Sequence, residues 1–224
     1  MRLHLRLALG GLLLLFSMPG FCFAQQAASS EAQQSPPAKF IQNLGNRAIT
    51  VIANKSLTPE QREEQYRQIL RDSFDLQTIG RFALGNNWNM ATPQQQQEYM
   101  KLFEELVVRT YSDRLGLYKG ESFQVKAVRQ ESSNDFLVHS EIQHPGGEPP
   151  TIIDWRVRKE GDNKFAVLDV VVDGVSQSVT QRQEYASIIQ NAGGNIDALL
   201  TRMRERLQQT RPTQAQSQPF QTQP

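Results

Sequence analysis

Cysteine is nearly absent from this 224-residue chain, and its one thiol, Cys22, lies in an apolar stretch near the amino terminus. Arg2, His4 and Arg6 precede an apolar run from Leu7 to Phe16, too short to span a bilayer, and Pro19 follows it. Cys22-Phe23-Ala24 places small residues where a signal peptidase reads, so residues 1–24 are expected to be a signal peptide cleaved after Ala24. The bulky Phe21 argues against Cys22 as a lipid-modified cysteine. Cleavage would leave no cysteine, which excludes disulfides and thiol nucleophiles from the mature protein. It would also remove Arg2 and Arg6, taking the formal charge from +1 to −1, and no basic field for nucleic acid remains. No second apolar run approaches 18 residues, so export without an anchor is expected, with the periplasm as destination. The chain also lacks Gly-x-Ser-x-Gly, His-Glu-x-x-His and a phosphate-cradling glycine loop.

Gln25 to Pro37 is made of Gln, Ser, Ala and Pro with little apolar mass, and Thr210 to Pro224 has the same character. Both are expected to be disordered, residues 25–37 as a linker and 210–224 as a tail, which leaves residues 38–209 as the folded domain.

Helical periodicity fills the first half of that domain. Phe40, Leu44, Ala48, Val51 and Ile52 recur at helical steps. Thr58-Pro59-Glu60-Gln61 is a capping box leading to Tyr66, Ile69, Leu70 and Phe74, and Asp75 starts a shorter helix that Gly85 stops. Thr92-Pro93-Gln94-Gln95 repeats the capping box and opens the longest pattern, running to Tyr118, with Tyr99, Phe103, Leu106, Val107, Tyr111 and Leu115 in one stripe. Such a helix would span roughly 35 Å, and its aromatic stripe needs a large apolar counterpart, either protein or partly ligand. Glu104 and Glu105 on it read as a solvated edge.

After Gly120 the period becomes two. Phe123, Val125 and Ala127 alternate with polar residues, as do Phe136, Val138, Ser140 and Ile142, and then Ile153, Trp155 and Val157. Phe165 to Val172 is apolar on both sides, with Phe165, Val167 and Val171 expected on one face and Ala166, Leu168, Val170 and Val172 on the other, as in a covered central strand. Thr180-Gln181-Arg182-Gln183 reads as another helix start, and Asn195 opens a last helix through Leu207. Helices, an antiparallel meander of about four strands, then helices make an α+β fold.

The residues that invite chemistry are few. His139 and His144 read as surface histidines on a strand and at a turn. Asp169 interrupts an apolar strand; a carboxylate there needs hydrogen bonds, an arginine partner or a shifted pKa, so either a structural cap or a general base is open. The arginines of the last helix present either a solvated face or a docking surface.

One constellation resembles a known family. It comprises Gly80-Arg81-Phe82-Ala83-Leu84-Gly85, Trp88, Phe103, Tyr111, Tyr118, Asp154-Trp155, Asp169-Val170-Val171-Val172-Asp173-Gly174-Val175-Ser176, Arg182 and Tyr185. In order and spacing this is similar to the MlaC family, the toluene-tolerance auxiliary proteins of Gram-negative bacteria. The likeness spans nearly all of Ala38 to Leu207; Tyr185 stands where phenylalanine is more usual. It implies an NTF2-like fold with an added helical part. It also implies a periplasmic phospholipid carrier, not an enzyme, holding acyl chains between a curved sheet and helices. The implied partners are an inner-membrane ABC transporter complex with its hexameric substrate-binding component, and an outer-membrane lipoprotein–porin complex. The work implied is maintenance of outer-membrane lipid asymmetry, with bound phospholipid as ligand and no cofactor or metal. Candidate lining residues are Phe82, Trp88, Phe103, Val107, Tyr111, Phe123, Val125, Trp155, Val157, Val170 and Val172; Arg81 and Arg182 are candidates for the head group. An NTF2-like enzyme using Asp169 as base and a packed protein-interaction adaptor are the competing readings.

Overall fold

The computed structural model describes residues 33–114, 120–162 and 164–209. The expectations for residues 1–32, Tyr118 and 210–224 lie outside these, as does the side chain of Tyr111. Five helices come first: α1 Pro36–Ala53, α2 Pro59–Ser73, α3 Leu76–Leu84, α4 Asn87–Met90 and α5 Pro93–Arg114. The strands β1 Ser122–Gln130, β2 Asp135–Gln143, β3 Thr151–Gly161, β4 Lys164–Val172 and β5 Val175–Ser176 follow, then α6 Gln177–Asn191 and α7 Ile196–Gln209. The fold is α+β, as expected. Pro36 and Pro37, placed in the linker by composition, form the first turn of α1, where proline loses nothing by lacking an N–H.

Local chemistry sets most boundaries. The Thr58 and Thr92 hydroxyls each accept from the amide three residues on, at 3.2 Å, and Gln61 and Gln95 accept from the cap amides in return. The Asp75 carboxylate accepts from the Thr78 amide at 2.9 Å. The start of α6 differs from expectation. Ser176, not Thr180, is the cap: its hydroxyl accepts from the Val179 amide at 3.1 Å, while the Thr180 hydroxyl donates back to the Ser176 carbonyl. Thr180 is thus already one turn inside the helix.

The sheet is an antiparallel meander ordered β1-β2-β3-β4-β5. Its fifth strand follows a two-residue turn in which Asp173 and Gly174 both have positive φ, at 48° and 82°. An Asp-Gly pair suits that hairpin, and the signal is present in the sequence. Of the irregularities in register, those at Lys126 and Leu168 reset the faces. Lys126 is an extra residue in β1, so Val128 rather than Ala127 continues the face of Phe123 and Val125. Leu168 is extra in β4, between Val167 opposite Val157 and Asp169 opposite Arg156. The expected division of β4 is therefore wrong beyond Val167: Phe165, Val167, Val170 and Val172 share one face, here called inner, and Asp169 and Val171 share the outer.

Two cores result. In one, Ala38, Ile41 and Leu44 of α1 and Ile69 of α2 bury Phe123, Val125, Val138, Val157, Phe165 and Val167 on the inner face. In the other, Tyr99, Phe103 and Leu106 of α5 pack with Ala83, Leu84, Tyr185, Leu199, Leu200 and Met203. The counterpart of this part of the long helix's stripe is therefore protein, and α5 packs chiefly on α2, α3 and α7. Tyr99 donates its hydroxyl to the Gly80 carbonyl at 2.8 Å, and burial pushes the Tyr99 and Tyr185 hydroxyls well above the ordinary phenol range. Glu104 and Glu105 are not a free edge. Arg67 donates to both Glu105 oxygens, at 3.2 and 3.1 Å, and Arg71 to Glu104 at 2.8 Å, tying α2 to α5.

Groups from the helical half meet the strand backbone at two points. On β1, the Gln42 amide accepts from the Val125 N–H at 3.0 Å and donates to the Phe123 carbonyl at 3.2 Å. On β4, Phe74 makes a bridge with Val167, whose carbonyl accepts from the Asp75 amide at 3.1 Å.

α1 crosses β1 so closely that a Cβ on Gly45 would lie 2.2–2.8 Å from the Phe123 ring. Gly45→Ala should therefore lower the thermal midpoint, overpacking of about 1–3 kcal/mol outweighing the roughly 1 kcal/mol gained in helix propensity. Melting followed by circular dichroism checks the sign.

Candidate functional site

The inner face is covered unevenly. Under α1, Val138, Val157 and Val167 are fully buried. Toward the end where β2 finishes and β3 begins, Ile142, Trp155, Val170 and Val172 are only half-buried, although their register places them on the same face. Val175 pairs with Val172 at the rim and is 55 % exposed. An apolar strip thus runs from the packed core to the surface.

Polar groups fix this strip without breaking it. Trp155 meets Phe123 edge-on, ring centroids 6.1 Å apart, and its indole N–H donates to the Ser140 hydroxyl at 2.8 Å. Ser140 is completely buried and donates in turn to the Ile153 carbonyl at 3.0 Å. Both polar groups are satisfied, so the indole is oriented at little desolvation cost. At the rim, His144 Nε2 and the Thr151 hydroxyl are 2.9 Å apart. At the sheet's opposite end Pro37, Val128, Phe136, Lys159 and Phe165 line a separate cavity of about 330 Å³.

Ten of the eleven lining candidates lie in or beside the two cores, and the side chain of the eleventh, Tyr111, is outside the described residues. Phe123, Val125 and Val157 are buried on the inner face, Trp155 and Val170 pack beside them, and Val172 lies at the open end. Phe103 is buried in the helical core, Trp88 and Val107 pack against it, and Phe82 lies at the surface, 40 % exposed. Arg81 and Arg182 belong to this helical side: their guanidinium carbons sit 5.0 Å from the ring centroids of Trp88 and Phe82. Sequence reasoning passed over Ile142, Ile153 and Ser140 as members of the strip, although their alternation with Val138 and Trp155 was visible.

Among the described residues Asp169 has no arginine partner, and both of its carboxylate oxygens accept hydrogen bonds. It is 8 % exposed; Oδ1 accepts from the Val170 and Ser178 amides at 2.9 and 3.0 Å, and Oδ2 from the Ser176 hydroxyl at 2.6 Å. The carboxylate thus caps the first turn of α6, where the helix dipole favours a negative charge, and pins that helix to the outer face of β4. On the same face His139 Nδ1 lies 2.7 Å from Asp154.

Comparison with known proteins gives one consistent result. The family model described as MlaC protein matches residues 42–205. A curated relative, the intermembrane phospholipid transport system binding protein MlaC of Haemophilus influenzae, is 22 % identical over 178 residues, covering 77 % of this chain and 82 % of the relative. Among solved structures, the phospholipid-binding protein from Ralstonia solanacearum, determined in complex with a phospholipid, matches with a TM-score of 0.66 at 24 % identity. That alignment covers 77 % of this chain and 97 % of the other, and it shows that the two share a fold.

The cap geometry makes Asp169 a test of structure against catalysis. Asp169→Asn should cost about 1–2 kcal/mol, because an amide nitrogen cannot accept where Oδ2 does. A lowered melting midpoint with lipid content retained is the expected outcome; unchanged stability with lost function would assign the carboxylate a different part.

Proposed function

Because the chain belongs to the MlaC protein family, we propose that it is a periplasmic phospholipid carrier whose acyl chains occupy the open strip of the inner face. The single observation that carries this reading is the incomplete cover of that strip: Ile142, Trp155, Val170 and Val172 continue a packed core yet remain half-buried. The relative's transport role and the neighbour's bound phospholipid supply the ligand class. Among the described residues no helix is long and apolar enough to cross a membrane, which accords with a carrier that moves between membranes.

The lining proposed is Phe123, Val125, Trp155, Val170 and Val172, with Val157 as the floor where the strip meets the packed core. Phe103 and Val107 lie in the helical core, and the lipid-binding unit runs from Pro36 to Gln209. Energetics dictate how such a site works. Two acyl chains carry about 30 methylenes, so their exposure to water costs roughly 24 kcal/mol. Leaving only four methylenes wet costs about 3 kcal/mol, more than a hundredfold in affinity. The carrier therefore covers the tails almost completely, yet binds no more tightly than a bilayer does, since lipid must leave again. Its partners are those the family likeness implies: an inner-membrane ABC transporter complex with its hexameric component, and an outer-membrane lipoprotein–porin complex. Through them it maintains outer-membrane lipid asymmetry. Catalysis has no part in this reading, in which the Asp169 carboxylate joins β4 to the start of α6.

Organic extraction of the natively purified protein followed by mass spectrometry should release stoichiometric phospholipid. Protein that carries none and refuses added lipid would favour a packed adaptor instead. Val172→Trp fills the open end from its rim; lipid occupancy should fall severalfold while the melting midpoint holds, and unchanged occupancy would remove Val172 from the lining.

A further inference from the structure

Among the described residues two guanidinium groups at one corner of the helical layer form no ion pair, although Arg81 donates from Nη2 and Nε to the Gln77 side-chain oxygen at 3.1 and 3.2 Å. Arg67, Arg71 and Arg204 pair with glutamates on neighbouring helices. Among the described residues neither Arg81 nor Arg182 forms an ion pair with a carboxylate; each instead lies against an aromatic ring, Trp88 and Phe82 respectively. They flank one helical turn. The Gly85 amide donates to the Arg81 carbonyl at 3.0 Å, and Arg182 Nε lies 3.1 Å from where a Cβ on Gly85 would stand. Gly85 has φ 61°, so the absence of a side chain serves both the backbone and the close approach of Arg182. The nearby acids are engaged: Asp169 with α6, and Glu184 with Arg206 at 3.1 Å. Stacking on a ring fixes the plane of a guanidinium without neutralising it.

Exposed apolar side chains stand near these charges along the chain. Phe82 is 40 % exposed, Met90 64 % and Val179, three residues before Arg182 on α6, 42 %. They project from three different helices rather than lining one groove. A protein partner would need a shape to match them; a fluid bilayer needs none. Guanidinium groups aimed at phosphate oxygens, with apolar tips reaching the acyl boundary, are the composition of an interfacial contact. We propose that this corner, Arg81 and Arg182 together with Phe82, Met90 and Val179, docks the protein on bilayer surfaces that carry anionic phospholipid. The corner lies on the helical side, where α6 is pinned to the outer face of β4, away from the strip on the inner face. Docking and tail binding are therefore separate acts.

The test is cosedimentation of the purified protein with phosphatidylcholine vesicles prepared with and without phosphatidylglycerol. Binding should require phosphatidylglycerol and weaken as salt rises. Arg81→Gln and Arg182→Gln should each lower the partition coefficient about fivefold, and Phe82→Ser should lower it on the same vesicles. Arg156→Gln, which removes an exposed guanidinium from the outer face of the sheet, should leave it unchanged. Circular dichroism melts confirm that each variant is folded. Failure to sediment, equal sedimentation with both vesicle types, or arginine variants that match the unsubstituted protein would each overturn the proposal and leave the corner to an acidic protein partner. Phospholipid extracted from the same preparation reports on the carrier reading alone, so the two can fail separately.

Discussion

One helix is too narrow for the sheet it has to cover. α1 has 18 residues, about 27 Å of length, and a helix with its side chains is about 10 Å wide. Four full strands spaced at about 4.8 Å present roughly twice that width. By lying against β1 and running down toward Phe165, α1 buries a diagonal band and leaves the β3–β4 end of the inner face to other cover. The long helix does not supply it, because Tyr99, Phe103 and Leu106 are turned toward α3, α6 and α7. The unfinished strip follows from these dimensions, and the proposed function rests on it.

Much of this was legible in the residues, and what was not has a common cause. The capping boxes at Thr58 and Thr92 are short-range chemistry, and both formed as read. Strand periodicity placed Trp155, Val157, Phe123 and Val125 correctly. Periodicity fails where one residue is inserted without a compositional mark. Lys126 and Leu168 are ordinary strand residues, yet each reverses the parity of everything after it. The start of α6 was missed because Ser176 belongs to a hairpin and a helix at once. Glu104 and Glu105 looked free because their partners, Arg67 and Arg71, are distant in sequence. The site was harder still. Apolar residues of a pocket and of a core are chemically alike, and only the cover above them tells the two apart.

The bulge at Leu168 does more than shift a register. It sends Val170 and Val172 to the inner face while turning Asp169 outward, where its carboxylate receives the amide of Ser178. A strand of strict alternation would keep Val170 on the face opposite Val167, and the open strip would lose both of its β4 members. One extra residue thus places the apolar strip and the cap of α6 on opposite sides of the same strand. Sheet and helical core are coupled through a carboxylate that accepts three hydrogen bonds, one from β4 and two from the start of α6.

The two contacts with the strand backbone carry a consequence of their own. Gln42 answers the backbone of β1 with a side-chain amide that imitates a neighbouring strand, and Phe74 and Asp75 do the same for β4 with main chain. At those points a visiting polypeptide meets backbone groups that are already engaged. There, recognition falls to topography and charge, a fast and easily reversed handshake.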